Sequence, residues 1–217
     1  MKKTLYIMRH GQTLFNQQQR IQGWCDSPLT EEGEKQALKA REYFQNEGIT
    51  FDECYSSTQE RASDTLELVT NHAPYIRLKG IKEWNFGKFE GASEYLNPPR
   101  NRKGQQSYED YFVAYDGESN VDVAKRVRQT LDDIFEEDES KTVLAVSHGG
   151  AMWAFFLSLN LEKYPTYISS NCSIHKYEIE DGHYQLVKVI DPVNGIVHDL
   201  EDQTPEETLI KDHVFWQ

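Results

Sequence analysis

Cysteine is scarce in this chain and odd in number: Cys25, Cys54 and Cys172 are the three in 217 residues. They lie far apart, which fits neither a disulfide framework nor a zinc site, so reduced thiols in a cytoplasmic protein are expected. Long apolar runs are missing as well. The apolar stretch behind Met1-Lys2-Lys3 is only about five residues, too short for the apolar core of a secretion signal. No stretch approaches the roughly 20 apolar residues a membrane helix needs. Positive charge is in deficit, since 23 Lys and Arg against 36 Asp and Glu leave a net charge of −13. That balance argues against nucleic acid and against an anionic membrane as partners, because both demand a basic face. Internal repeats and low-complexity tracts are absent. His72, His175, His183, His198 and His213 have no partner at metal-ligand spacing, so no metal site is expected.

What is there is a short motif delivered twice. Leu5-Tyr6-Ile7-Met8 runs into Arg9-His10-Gly11-Gln12-Thr13, and Val143-Leu144-Ala145-Val146 runs into Ser147-His148-Gly149-Gly150. A histidine beside a cation and a glycine, where a strand gives way to a loop, is where an α/β protein places a nucleophile facing an anion. An acidic chain repels an anionic substrate, so such a pocket must concentrate its cations locally. The bland alternative for both histidines is a pair of loop residues with satisfied hydrogen bonds.

Through roughly the first 160 residues, short β-rich runs alternate with longer helical patterns, the signature of a parallel sheet with helices on its faces. Strands are expected at Leu5–Met8, Phe51–Tyr55, Tyr75–Leu78 and Val143–Val146. A first helix is expected from Thr30, a capping residue followed by Glu31 and Glu32, with Ala37, Ala40 and Phe44 buried and Gly48 past its end. A second begins near Thr58 with Ala62, Leu66 and Val69 on one face. A third, from Ser119, repeats Val123, Val127, Leu131 and Ile134, then dissolves into the acidic run 136–139. Between Trp84 and Gly117 the periodicity is poor, as in an insertion over the sheet, partly helical around Tyr108–Tyr115. Ser173–Glu180 and Tyr184–Ile190 alternate across Asp181-Gly182, which predicts an antiparallel hairpin at the sheet edge. An acidic tail, 199–217, follows. The expectation is an α/β fold, a three-layer α/β/α sandwich around a mostly parallel sheet, in one domain over 1–217 with a cap-like insertion at 84–117.

At Arg9-His10-Gly11-Gln12-Thr13 the sequence resembles the histidine phosphatase superfamily, which includes cofactor-dependent phosphoglycerate mutases and many small phosphatases. The likeness continues at Asn16 and Gln22-Gly23. It returns at Tyr55-Ser56-Ser57 with Arg61-Ala62, at Glu83 with Phe86-Gly87-Lys88-Phe89-Glu90-Gly91, at Gly117-Glu118-Ser119 and at Ser147-His148-Gly149-Gly150. These blocks keep the family's order over residues 4–151.

The resemblance implies a phosphohistidine on His10, with Glu83 as proton donor and no metal or cofactor. Arg9 and Arg61 would keep His10 unprotonated and clamp the phosphoryl oxygens. His148 would be the remaining pocket cation. Gly11, Asn16, Gln22, Gly23 and Gly149 would complete the contacts to a small phosphorylated metabolite, with Gly149 and Gly150 opening a helix whose amino end favours an anion. Glu90 competes with Glu83 for the acid's role, and Trp84, Phe86 and Phe89 read as insertion core before substrate platform. Phosphatase is favoured over mutase because Glu83 and His148 are 65 positions apart (148 − 83), without the longer insertion and paired arginines usual in mutases of that type. A phosphate-binding module without turnover is the third reading; it needs no leaving-group acid. The basic segment 97–104, with Arg100, Arg102 and Lys103, is either solvated loop or a mobile cover for the substrate's distal group.

Overall fold

In the two runs that end in histidine, apolar residues occupy consecutive positions instead of alternate ones, and Leu5 to Met8 and Val143 to Val146 are all buried. A strand buried on both faces must lie between two helical layers. The computed structural model describes residues 2–97, 107–137, 141–159 and 169–200, and has that arrangement. Its strands are β1 (Lys3–Arg9), β2 (Glu53–Ser57), β3 (Ile76–Leu78), β4 (Thr142–Ser147), β5 (Ile174–Glu180), β6 (His183–Asp191) and β7 (Ile196–Asp199). They form one sheet in the order β3-β2-β4-β1-β5-β6-β7. The pairings from β3 to β1 are parallel, and those from β1 to β7 antiparallel. The α/β sheet expected from the sequence is therefore present as a mixed sheet.

The helices are α1 (Leu14–Gln17), α2 (Glu31–Asn46), α3 (Glu60–Thr70), α4 (Asn120–Glu137) and α5 (Gly149–Ser158). Ala37, Ala40 and Phe44 of α2 and Ala62, Leu66 and Val69 of α3 pack with Tyr6, Met8, Leu144 and Val146. Val123, Val127 and Leu131 of α4 and Met152 and Phe155 of α5 pack with Leu5, Ile7, Val143 and Ala145 on the opposite face. Neighbouring strands β1 and β4 thus send their following helices to opposite faces. That divergence opens a crevice beyond their carboxyl ends, the usual ligand position of an open α/β sheet. His10 and His148 are the first residues past those two ends.

Close backbone approach fixes the loop after β1. A Cβ on Gly33, in the first turn of α2, would stand 2.0 Å from the Gln12 carbonyl oxygen, and one on Gly11 would stand 2.5 Å from the Gly33 oxygen. Thr30 caps α2 through its hydroxyl, which accepts from Gly33 N at 3.0 Å, and its own N–H donates to Gln12 O at 2.9 Å. Cap and loop are one unit, so the helix start also sets where His10 sits.

Several boundaries differ from expectation. β2 starts two residues after Phe51, whose ring instead packs edge-on against Tyr6 and Phe44. α3 begins at Glu60, after Gln59, whose side chain is engaged elsewhere. The β5–β6 hairpin is not at the sheet edge: β1 flanks it on one side and β7 on the other. β7 has no apolar alternation in Ile196-Val197-His198-Asp199 to mark it, and the short α1 has no repeat. The helix expected near Tyr108–Tyr115 is a single 3₁₀ turn, Tyr111–Tyr115. Trp84, Phe86 and Phe89 each meet Phe112 edge-on and join the α4–α5 core, so these four aromatics of the 84–117 segment are packing residues. Residues 98–104 of the basic segment, Asp138 and Glu139 of the acidic run and the tail 201–217 with His213 lie outside the described residues. Among the described residues no helix is long and apolar enough to cross a membrane.

Candidate active site

His10 is 3% exposed. Its Nδ1 lies 2.7 Å from its neighbour's carbonyl oxygen, Gly11 O. A carbonyl accepts only, so Nδ1 carries the proton and Nε2 keeps its lone pair. That lone pair faces Arg61, whose Nε donates to it at 3.2 Å. Burial first, then the Arg61 and Arg9 guanidinium groups, hold the imidazole well below its usual pKa, against the opposing pull of the Gly11 bond. The ring is thus a neutral imidazole with its proton on Nδ1 and its lone pair on Nε2.

His148 lies across from it, with ring centroids 5.2 Å apart. It is fully buried, and neither ring nitrogen has a hydrogen-bond partner among the described residues. Burial, then Arg61, His10, Arg126 and Arg9, depress its pKa far below the ordinary value. Two buried, unbonded polar atoms cost free energy unless a ligand completes them. The named cations also answer the charge problem of an acidic chain, since three arginines converge on this point.

The depressed histidines make stability depend on pH with a definite sign. Below about pH 6.5 the unfolded chain protonates both rings while the folded chain does not, so the unfolded state binds more protons and stability falls as pH falls. Two such groups contribute about 2.7 kcal/mol per pH unit in that range, down to their folded values. Urea midpoints measured between pH 7 and pH 5 should drop steeply in the wild type. The slope should flatten when both histidines are replaced by alanine, and an unchanged slope would contradict the buried, neutral pair.

Arg61 is fully buried and fully engaged. Besides His10 it donates from Nη1 to Cys25 O at 3.1 Å and Asp26 Oδ1 at 2.8 Å, and from Nη2 to Gly23 O at 2.9 Å and Gln22 O at 3.4 Å. It therefore anchors the 22–26 loop over the crevice, with Asp26 as its counter-ion. Arg9 donates to Ser169 O. Gln22 is turned inward, accepting from Thr13 Oγ1 at 2.6 Å and donating to Ser27 Oγ at 3.0 Å. Gly11 N donates to Thr65 Oγ1 at 2.9 Å, and Gly23 N to Glu90 Oε2 at 3.1 Å.

Glu83, 7% exposed, sits at the amino end of α5. Its Oε2 accepts from Gly150 N at 2.9 Å, and its Oε1 from Ala151 N at 2.8 Å and Trp84 N at 2.7 Å. The anion expected at the Gly149-Gly150 helix start is therefore, within the chain, Glu83 itself, the side-chain cap that His148 does not provide. Glu90 has another task. It accepts from Gly23, Trp24 and Cys25 N at 3.1, 2.7 and 3.0 Å and from Phe86 N at 3.0 Å, tying the 23–25 loop to the segment that follows Glu83.

Gly150 is needed for this geometry. A Cβ there would stand 2.7 Å from Glu83 Oε1 and 3.2 Å from its carboxyl carbon. Alanine has a better helix propensity by about 1 kcal/mol, yet displacing a packed, hydrogen-bonded carboxylate costs about 1–3 kcal/mol. Gly150→Ala should therefore lower stability by up to about 2 kcal/mol in a urea titration. A gain in stability would show that the carboxylate moves aside freely.

Reading along the sequence missed the residues that connect these parts. Gln59 receives Glu83 N on Oε1 at 2.9 Å and donates to Gly23 O. Arg126 of α4 donates to the carbonyls of Gly80, Lys82 and Glu83 at 2.9, 2.7 and 2.8 Å and pairs with Glu118. Asn171 donates to His10 O at 3.1 Å. Glu118 alone carried a signal, as a member of a resembling block. Among the described residues, no group of three or more His, Cys, Asp or Glu is placed to hold a metal ion.

A family model described as the histidine phosphatase superfamily (branch 1) matches residues 5–192. The chain is 29% identical over 211 residues to a probable phosphoglycerate mutase, GpmB, of Erwinia tasmaniensis, covering 94% of this chain and 97% of that one. Among solved structures it is similar to phosphoglycerate mutase from Bacillus anthracis, with a TM-score of 0.72 and 28% identity over 85% of this chain and 91% of that one. It is equally similar in identity, at 28%, to a phosphoserine phosphatase variant from Entamoeba histolytica in complex with phosphoserine, with a TM-score of 0.71 over 88% and 98% of the two chains. With the family match running from β1 past the end of β6, the chain belongs to the histidine phosphatase superfamily.

Proposed function

We propose that this protein hydrolyses a small phosphate monoester through a phosphohistidine on His10, without metal. The observation that carries the reading is the state of His10: neutral, with Nδ1 committed to Gly11 O and Nε2 holding the free electron pair. Nε2 attacks phosphorus as the bond to the leaving oxygen breaks, and Glu83, a carboxylate in the resting site, takes the proton that the incoming phosphate monoanion carries and delivers it to that oxygen. Water then attacks the phosphohistidine, Glu83 takes its proton, and the P–N bond breaks to release phosphate. For the attack, Arg61 Nε must give up its bond to Nε2, and its natural new acceptor is a phosphoryl oxygen. Arg9 supplies the second cation. His148, whose ring nitrogens lack partners, donates to the phosphoryl group in the transition state, where charge is largest. Asn16, with the glycines at positions 11, 23 and 149, lines the remainder.

The substrate class is a small phosphorylated metabolite. A second reading, phosphoryl transfer of the phosphoglycerate mutase type, is favoured by the likeness to proteins of that name. The likeness to a phosphoserine phosphatase favours hydrolysis. One panel decides between them: purified protein against phosphoserine, phosphoglycerates, sugar phosphates and nucleoside monophosphates, with phosphate release and mutase turnover read in parallel. Phosphate release without bisphosphate-dependent isomerisation is expected, and the reverse would establish the mutase. Activity should survive exhaustive chelation in full; a loss restored by a divalent ion would sink the metal-free mechanism.

A further inference from the structure

Asn171 lies far from His10 in sequence and belongs to no block by which the family was read, yet it touches two parts of the crevice. Its Nδ2 donates to His10 O at 3.1 Å and to Asn16 Oδ1 at 3.3 Å. Both carboxamide orientations follow from backbone partners. His10 O is a carbonyl and accepts only, so the Asn171 atom beside it is nitrogen. Thr13 N is a donor only and meets Asn16 at 3.1 Å, so the Asn16 atom there is oxygen. Asn16 Oδ1 is thus held from two sides, and its NH₂ group has to face away from both donors. That group makes no hydrogen bond to a described residue, so it is left for a ligand.

The segment that carries Asn171 is itself stapled. Ser170 Oγ donates to Asp191 Oδ2 at 2.8 Å. Asp191, 3% exposed at the end of β6, also accepts from Val193 N, Asn194 N and Asn194 Nδ2. Cys172 N donates to His10 O at 3.3 Å, and Cys172 is held at φ 61°, in the left-handed region. Position 171 is therefore determined by the β6–β7 turn on one side and the nucleophile's backbone on the other.

We propose that Asn171 is a positioning residue that locks the Asn16 carboxamide with its NH₂ group toward the phosphoryl group. The inference rests on the phosphate-ester reading above. Without Asn171, Asn16 keeps only the Thr13 bond and can swing about it, so part of its donation to the anion is lost. A hydrogen bond to an anionic oxygen contributes about 10-fold to 100-fold in affinity.

The test is a double-mutant cycle with Asn16→Ala, Asn171→Ala and the pair, reading the dissociation constant of inorganic phosphate by calorimetry and the split between kcat and KM on a working ester. Each single variant should weaken phosphate about 10-fold or more, and the double variant should be no worse than the weaker single. Losses that multiply, or an Asn171→Ala protein that binds phosphate like the wild type, would overturn the inference. Should Asn171→Ala fail to fold, Asn171→Asp keeps the shape but has no N–H to donate, and enters the same cycle. The charge it adds repels phosphate in both Asn16 backgrounds, so the lock is read as the part of the Asn171→Asp loss that Asn16→Ala removes. Failure of the wild type to bind phosphate at all would overturn the phosphate-ester reading itself, whereas binding with multiplicative losses would overturn only the role of Asn171.

Discussion

Replacing His10 with alanine is expected to lower kcat/KM by about 10⁴-fold or more on every ester the protein turns over, because the proposed mechanism passes the phosphoryl group through His10 Nε2 alone. His148 is neutral as well, but in the proposed mechanism its ring serves as a donor. The variant should still fold. The side chain is buried, so its removal leaves a small cavity and an unpartnered Arg61 Nε, a cost of about 1–3 kcal/mol. The loop keeps its course through main-chain bonds: His10 N to Ser147 O at 3.1 Å and Cys172 N to His10 O at 3.3 Å. Wild-type protein denatured in alkali during turnover should carry phosphate on one histidine, and the variant none. Residual activity within about tenfold of wild type would remove His10 from the chemistry.

Glu83→Gln is expected to separate substrates by their leaving groups. A general acid contributes roughly 10²-fold to 10⁴-fold where the leaving oxygen is basic, so alkyl phosphates should slow by about that factor and an aryl ester with an acidic phenol by less than about tenfold. Absolute rates are a poor guide at this position. The carboxylate also accepts three backbone N–H bonds at the head of α5, and an amide would aim its NH₂ at one of those donors, costing about 1–2 kcal/mol of stability. Distortion of the helix start slows both esters alike, whereas loss of the proton slows one. Equal losses would therefore assign Glu83 to capping alone and move the acid elsewhere.

The parts of this protein legible in its sequence are those set by near neighbours along the chain. Apolar runs ending in His10 and His148, the Thr30 cap, and the Val123, Val127, Leu131 repeat are each local patterns: burial on both faces makes a strand continuously apolar, a helix start needs a capping oxygen, and burial on one face gives a helix its period. Arg61 and Glu83 have no such pattern; only resemblance to a family singled them out, and it left Glu83 in competition with Glu90. Tertiary structure separated the two carboxylates by the backbone N–H groups they meet, α5 for one and the 23–25 loop for the other. It also brought in Asp26, Gln59, Arg126 and Asn171, and set β7 outside the hairpin at the sheet edge. The sequence by itself determined an α/β chain with a histidine at the mouth of two strands. Which polar groups surround those histidines was decided only on folding, because a hydrogen bond between residues far apart in the chain leaves no periodicity in the sequence and exists only once strand order and helix faces have placed donor and acceptor together.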